Sequence, residues 1–363
     1  MFGILKMTKG LVRKRGANRN GFEKKKAKEE AEKRANRKLK MMARNILKHL
    51  KEKILKTNDG EVNSFLSMPM DIKTIMSLLQ LIFDIDGVLK RVNSTKLLYK
   101  GKPYPSVIFT LTRAQIAHDF MKTKTMSLEK AFQEVVDKLS IHEVLIEKYE
   151  KVVENIIKLD NHYYKNVGYT LGGGYDDGKF DHQFVKLYFM FSLLEEEEQI
   201  VSDTTAKQAV FLMKLLKFLK INGIQSTVLS NGTTAKYAYS LEGREYPGLF
   251  TQVFDIVKQN PSVMAGKFEE GSKFYAKPQG TAFLNACLPS VDSYKAVMFE
   301  DSHPNALGAS KAGLNVFLTE PQRKDGMSPD VLLFVFCVGL FHGYQPVKSD
   351  FEFLSLLGFN NLF

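Results

Sequence analysis

The chain has 363 residues, with 52 Lys and Arg against 40 Asp and Glu and a formal charge of +12. Residues 1–58 hold 20 basic and 5 acidic side chains, a local charge of +15 (20 − 5), while the other 305 residues hold 32 and 35 and carry −3 (32 − 35). The basicity therefore belongs to one arm. With 44% hydrophobic residues overall, the body is no disordered polyelectrolyte, and two cysteines, Cys287 and Cys337, exclude a disulfide scaffold and a cysteine-built zinc module and suit a reducing compartment.

No acidic residue precedes Glu23, while Arg13, Arg15 and Arg19 accompany Phe2, Ile4, Leu5, Met7 and Leu11. Lys6 and Lys9 interrupt any secretory signal, and the pattern reads as a mitochondrial transit peptide that lacks serine; the expected location is intracellular, cytoplasmic or mitochondrial. Residues 23–56 predict one long helix, because Leu39, Met42, Ile46, Leu50 and Ile54 recur every three or four positions among lysines and arginines. Such a helix either lies by its narrow apolar stripe on its own body or a protein partner, or binds RNA or an anionic membrane surface. The scarcity of aromatic residues (Phe2 and Phe22) favours the first. Thr57 to Ser67 reads as a linker.

A strand, Leu79 to Phe83, then ends in Asp84-Ile85-Asp86-Gly87. Residues 100–200 read as mainly helical, with Ser127 capping a helix whose face is Leu128, Phe132, Val135, Val136 and Leu139, and with Gly172-Gly173-Gly174 marking a loop. Glu195 to Glu198 reads as a solvated helix face. After residue 205 the pattern alternates: helix Ala206 to Lys220, strand Ser226 to Leu229, an extra loop from Asn260 to Phe274, helix Thr281 to Cys287, strand Ala296 to Phe299, helix Asn305 to Ala312 and strand Asn315 to Leu318. This alternation predicts an α/β fold with a parallel sheet, and the helical stretch after the first strand predicts a second layer over it. Val331 to Phe341 is too short to span a membrane and is expected to be a buried strand and the segment after it.

Four segments sit at element ends, where α/β proteins place ligands. They are Asp84 to Gly87, Val228-Leu229-Ser230-Asn231-Gly232, Lys277-Pro278 and Phe299-Glu300-Asp301-Ser302. Singly each reads equally as a turn, a surface lysine or a helix cap. Together they make chemical sense. Carboxylates from two strand ends attract a hard cation, with oxygen ligands suited to Mg²⁺. A serine hydroxyl, backbone N–H groups and an ammonium suit phosphate oxygens. One carboxylate can act as nucleophile and another can transfer protons.

In order and context these segments resemble the four motifs of the haloacid dehalogenase-like (HAD) hydrolases, over roughly residues 79–320. The third continues into Phe283-Leu284 and the fourth into Gly308-Ala309, Ala312 and Gly313. Between successive motifs lie 146 (230 − 84), 47 (277 − 230) and 23 (300 − 277) positions. The resemblance thus implies a cap between the first two motifs, as in the branch with phosphoglycolate phosphatases and β-phosphoglucomutase. It implies a Rossmann-like core over 67–99 and 206–363, a mainly helical cap over 100–205 and a basic helical arm over 1–66.

By the same resemblance Asp84 is the nucleophile forming an aspartyl-phosphate, and Asp86 the general acid and base. Asp84, the Asp86 carbonyl and Asp301 hold Mg²⁺ with support from Glu300. Ser230, the Asn231 backbone and Lys277 bind the phosphoryl group. The expected activity is Mg²⁺-dependent hydrolysis of a small phosphorylated metabolite. Two other readings remain open: a phosphomutase, or a non-catalytic accessory subunit of a larger assembly anchored by the arm, in mitochondria if the arm targets there. Candidate substrate contacts are Arg113, Lys122, Lys124 and Gly172 to Lys179, and His303 is the one histidine beside the fourth motif.

Overall fold

The computed structural model describes residues 4–56, 71–89, 97–139, 142–196, 203–319 and 327–362. The expected linker Thr57 to Ser67 lies outside them, as do the side chains of Glu195 to Glu198. The chain begins with a 53-residue helix α1 (Ile4–Lys56), longer than the apolar stripe required. A short helix α2 (Ile72–Ser77), whose Thr74 N–H is accepted by the Asp71 carboxylate at 2.7 Å, leads into β1 (Gln80–Phe83).

Among the described residues, β1 is followed by an antiparallel hairpin, β2 (Leu97–Tyr99) and β3 (Lys102–Tyr104), and by five helices of an inserted layer. These are α3 (Ser106–Lys124), α4 (Leu128–Lys138), α5 (His142–Val167), α6 (Thr170–Asp176) and α7 (His182–Glu196). Ser127 caps α4 as its sequence predicts. Gly172 to Gly174, expected as a loop, lie inside α6 instead. Their role is close packing. A Cβ on Gly173 would stand 2.7 Å from the Tyr163 ring and one on Gly174 would stand 2.3 Å from the Phe180 ring, so a crowded interior selects glycine within a helix.

The core then resumes with α8 (Asp203–Ile221), β4 (Gln225–Leu229), α9 (Ala235–Glu242) and β5 (Phe250–Phe254). It continues through α10 (Ile256–Gln259), α11 (Pro261–Met264), α12 (Gly280–Ala286), β6 (Ala296–Glu300), α13 (His303–Lys311), β7 (Asn315–Leu318), α14 (Pro329–Phe341) and α15 (Lys348–Leu356). The main sheet is parallel throughout, in the order β5-β4-β1-β6-β7. Its faces alternate along each strand. Leu81, Phe83, Val228 and Phe299 point to the side of α1, α8 and α14, and Ile82, Leu229 and Met298 to the side of α12 and α13.

Val331 to Phe341, expected as a strand, is helix α14, and every residue from Asp330 to Phe341 is buried. It packs between α1 and α8, with Phe334 edge-on to Phe299 of β6 at 5.3 Å. Covered all round, it has no polar face, and an unbroken apolar run carries no period by which helix and strand differ. The α1 stripe rests on α14. Ala43, Ile46, Leu47 and Leu50 are buried, and Leu39 and Met42 pack partly against the same core. Among the described residues no helix is long and apolar enough to cross a membrane.

Helices α3 to α7 share their own hydrophobic cluster. The segment Asn260 to Phe274 is partly helical rather than a simple loop, and it inserts Val263, Phe268 and Phe274 into that cluster. The Phe274 ring lies 6.2 Å from those of both Tyr169 and Phe189, so this excursion is built into the α3–α7 cluster.

Candidate active site

Register sets the site. Phe83 of β1 pairs with Val228 of β4 on one side and Phe299 of β6 on the other, so the residues just beyond these strands emerge level with one another. Asp84 continues the ladder by donating its N–H to the Phe299 carbonyl at 3.0 Å. The order of the chain also reverses here, with β4 and β5 laid on one side of β1 and β6 and β7 on the other, which opens a crevice beyond the carboxyl ends of the strands.

Lys277 reaches into that crevice fully buried. Its Nζ lies 2.8 Å from Asp84 Oδ1 and 2.7 Å from Glu300 Oε2. The other Glu300 oxygen accepts the backbone N–H groups of Asp301 at 3.2 Å and Ser302 at 3.1 Å. Glu300 is thus fully engaged in holding the lysine and shaping the β6 turn. Asp84, Glu300 and Asp301 each place a carboxylate oxygen within 4.8 Å of the others, and half-buried Asp86 adds its charge to Asp84 and Asp301.

Burial raises Asp84 well above the ordinary carboxylate range, the Glu300 charge adds to this, and Lys277 opposes both. Burial also raises Glu300 against the pull of Lys277. Asp301 is pushed from 3.8 up to about 7, by burial first and the Asp84 charge second. Burial by itself disfavours the Lys277 ammonium, yet Asp84 and Glu300 outweigh it and raise the group. One ammonium faces four carboxylates, and this surplus of buried negative oxygen donors fits a hard divalent cation such as Mg²⁺.

Gly87 makes the crowding possible. Its φ is +79°, and a Cβ there would stand 1.9 Å from Asp301 Oδ2. Gly87→Ala is expected to displace Asp301 and cost about 2 kcal/mol or more, read as a lower thermal midpoint together with weakened Mg²⁺ binding in calorimetry.

The second and third motifs interlock. The Asn231 side chain receives the Lys277 N–H and donates to the Lys277 carbonyl, both at 2.8 Å, so it fixes the lysine backbone. Ser230 is buried, and its Oγ accepts the Gly232 N–H at 3.1 Å, which leaves the hydroxyl proton for another acceptor. All seven sequence-predicted residues, Asp84, Asp86, Ser230, Asn231, Lys277, Glu300 and Asp301, therefore gather at one end of the sheet.

The basic candidates on α3 do not join them. Arg113 stacks on Phe109 at 3.9 Å and donates to the Leu139 carbonyl, Lys122 lies 3.8 Å from Asp181, and Lys124 lies over Phe120. The stretch Gly172 to Lys179 contacts the segment that carries Lys277: Tyr175 donates to the Ser272 carbonyl at 2.7 Å, and Gln279 donates to Asp176 at 3.5 Å. His303 opens α13, two residues after Asp301.

Three contributors carry no local signal in the sequence. Buried Gln259 donates to the Ser230 carbonyl at 2.8 Å, Tyr169 of the cap reaches the Asn231 carbonyl at 3.4 Å, and Tyr164 lies beside Ser302 and Asp301. Each acts from a distant segment, so only the folded chain reveals it.

No protein-family model and no curated protein matches the chain. Among solved structures it is similar to an uncharacterized protein from Corynebacterium glutamicum at 25% identity, over 40% of this chain and 89% of that one, with a TM-score of 0.28. A HAD-superfamily hydrolase, subfamily IA, variant 1, from Geobacter sulfurreducens is 15% identical over 69% of this chain and 90% of that one, with a TM-score of 0.29. A HAD family enzyme from Bacteroides thetaiotaomicron, in complex with magnesium and inorganic phosphate, is 14% identical over 68% and 96%, again at 0.29. The parallel sheet with β1 at its centre, the acids at its strand ends and the helical insertion after β1 agree with the architecture that the resemblance to the HAD-like hydrolases implies.

Proposed function

We propose that the chain is a phosphomonoester hydrolase that works through an aspartyl-phosphate at Asp84. The observation that carries this reading is the Asp84–Lys277–Glu300 arrangement, in which one buried ammonium is held between a strand-end carboxylate and a second acid that anchors it. An Asp84 oxygen attacks phosphorus and the bond from phosphorus to the alcohol oxygen breaks, with Asp86 giving that oxygen its proton. Water then attacks the phosphoryl group and passes a proton back to Asp86. Inorganic phosphate leaves and the Asp84 carboxylate is restored. Lys277 offsets the repulsion between an anionic nucleophile and an anionic substrate, and the Ser230 hydroxyl is free to donate to a phosphoryl oxygen.

Asp84, Asp301 and the Asp86 carbonyl would hold Mg²⁺, with Glu300 behind them. The ion would supply charge neutralisation on the phosphoryl oxygens. Tyr164, beside Asp301 and Ser302, and Tyr169, at the Asn231 carbonyl, are the candidates to face the alcohol portion of a small metabolite. The test is a panel of sugar, nucleotide and glycolate phosphates with Mg²⁺, run on wild type beside Asp84→Asn. Products are scored both for released phosphate and for a migrated phosphoryl group. No turnover on any member, with no binding of a phosphate mimic, would sink the proposal.

The raised carboxyls give a second check. A carboxyl whose folded pKa lies above its unfolded value stabilises the fold when protonated, so that contribution is full below the unfolded pKa of Asp301, 3.8, and is lost as pH rises through its folded value of about 7. The thermal midpoint of metal-free protein should therefore fall between about pH 5 and about pH 7.5, and Mg²⁺ should restore several degrees at the higher pH and little at the lower. An equal response at both would place the ion elsewhere.

A further inference from the structure

Helix α1 has two faces with different fates. Ala43, Ile46, Leu47 and Leu50 are turned into the core against α14. On an outward-turned flank Lys33, Arg37, Lys40, Arg44, Lys48 and Lys51 are all exposed and succeed one another at steps of three or four residues, with no acidic residue between Lys33 and Lys51. At about 1.5 Å per residue this is a row of six cations over about 27 Å. Before it, Lys24, Lys25, Lys26 and Lys28 are also exposed, and Glu29, Glu30 and Glu32 separate the two groups.

We propose that this row is a docking surface for double-helical nucleic acid, held through its phosphates. The match is one of charge and regularity. A duplex presents about one phosphate per 1.7 Å of axis, a continuous line against which an even row of cations can lie. An interfacial membrane helix needs an apolar face to bury among acyl chains. The apolar face of α1 is already occupied by α14, and Met41 is the large apolar side chain left exposed among its described residues. Single-stranded nucleic acid is gripped by aromatic stacking, and residues 23–56 contain no Phe, Tyr or Trp. The row shares no residue with the strand-end site, so the two can be tested separately.

The experiment titrates the full-length protein into a fluorescent DNA duplex of about 24 base pairs and reads anisotropy. Affinity is expected to fall about 100-fold or more between about 50 and about 200 mM salt. The triple variant Arg37→Glu, Lys40→Glu, Arg44→Glu should lose about 100-fold at the lower salt while keeping its thermal midpoint and hydrolase activity, since all three side chains are exposed. The corresponding Gln variant should fall between the two, which keeps the comparison valid if charge reversal disturbs folding. No binding at low salt would overturn the proposal, as would affinity indifferent to salt or to these variants. Tighter binding to oligo-dT or to phosphatidylserine vesicles than to the duplex would also overturn it.

Discussion

Asp84→Asn is expected to lower turnover by at least about 10⁴-fold while raising the thermal midpoint of the metal-free protein. The amide keeps the size of the carboxylate and still offers Lys277 an oxygen at the position now 2.8 Å away, but it is a far weaker nucleophile. The stability change comes from burial. The folded site holds Asp84 well above its ordinary pKa, so its ionised form opposes folding at neutral pH, and removing the charge removes that cost. Below about pH 3, under the unfolded pKa of 3.8, the group is protonated in both states and the gain should vanish. Turnover and thermal unfolding measured on the same preparation separate the roles. Activity within about tenfold of wild type would assign the nucleophile elsewhere, and lost activity with a lower midpoint would make Asp84 a structural residue.

Lys277→Met should produce the largest loss of stability, about 3–5 kcal/mol at neutral pH, because it leaves Asp84 and Glu300 buried without their counter-charge. The loss should shrink as the pH is lowered to about 5. The carboxyls are already raised and rise further without the ammonium, so they take up protons and the uncompensated charge disappears. Urea unfolding at the two pH values checks this. An equal loss at both would mean that the lysine matters for its packing rather than its charge. Adding Glu300→Gln to the variant should recover part of the loss, as coupling between groups in contact requires.

The site is legible in the sequence where its signal is local. Apolar strands that stop at Asp84 and at Glu300-Asp301, a strand ending in Ser230-Asn231 and the Lys277-Pro278 pair can be placed from the sequence, because strand, turn and acid lie within a few residues. Roles that depend on long-range pairing are not legible. Nothing near Asn231 says that its side chain clamps the Lys277 backbone 46 residues away, or that Gln259 holds the Ser230 carbonyl. The β2–β3 hairpin escapes notice because its strands have three residues each, and the edge strand β5 because Thr251 and Gln252 interrupt its apolar run. The glycines of α6 mislead because glycine marks a turn by itself, yet here it answers Tyr163 and Phe180.

The sequence by itself determined the α/β class, the strand ends that carry the chemistry and the division of charge between a basic arm and a near-neutral body. Periodicity, turn chemistry and net charge are written residue by residue along the chain. Tertiary structure decided that Val331 to Phe341 is a helix, that Asn260 to Phe274 packs into the α3–α7 cluster, and that α1 buries one face on α14 while presenting a cationic row outward. Each of these depends on what covers a surface, and a surface acquires its cover only when segments far apart in sequence pack together.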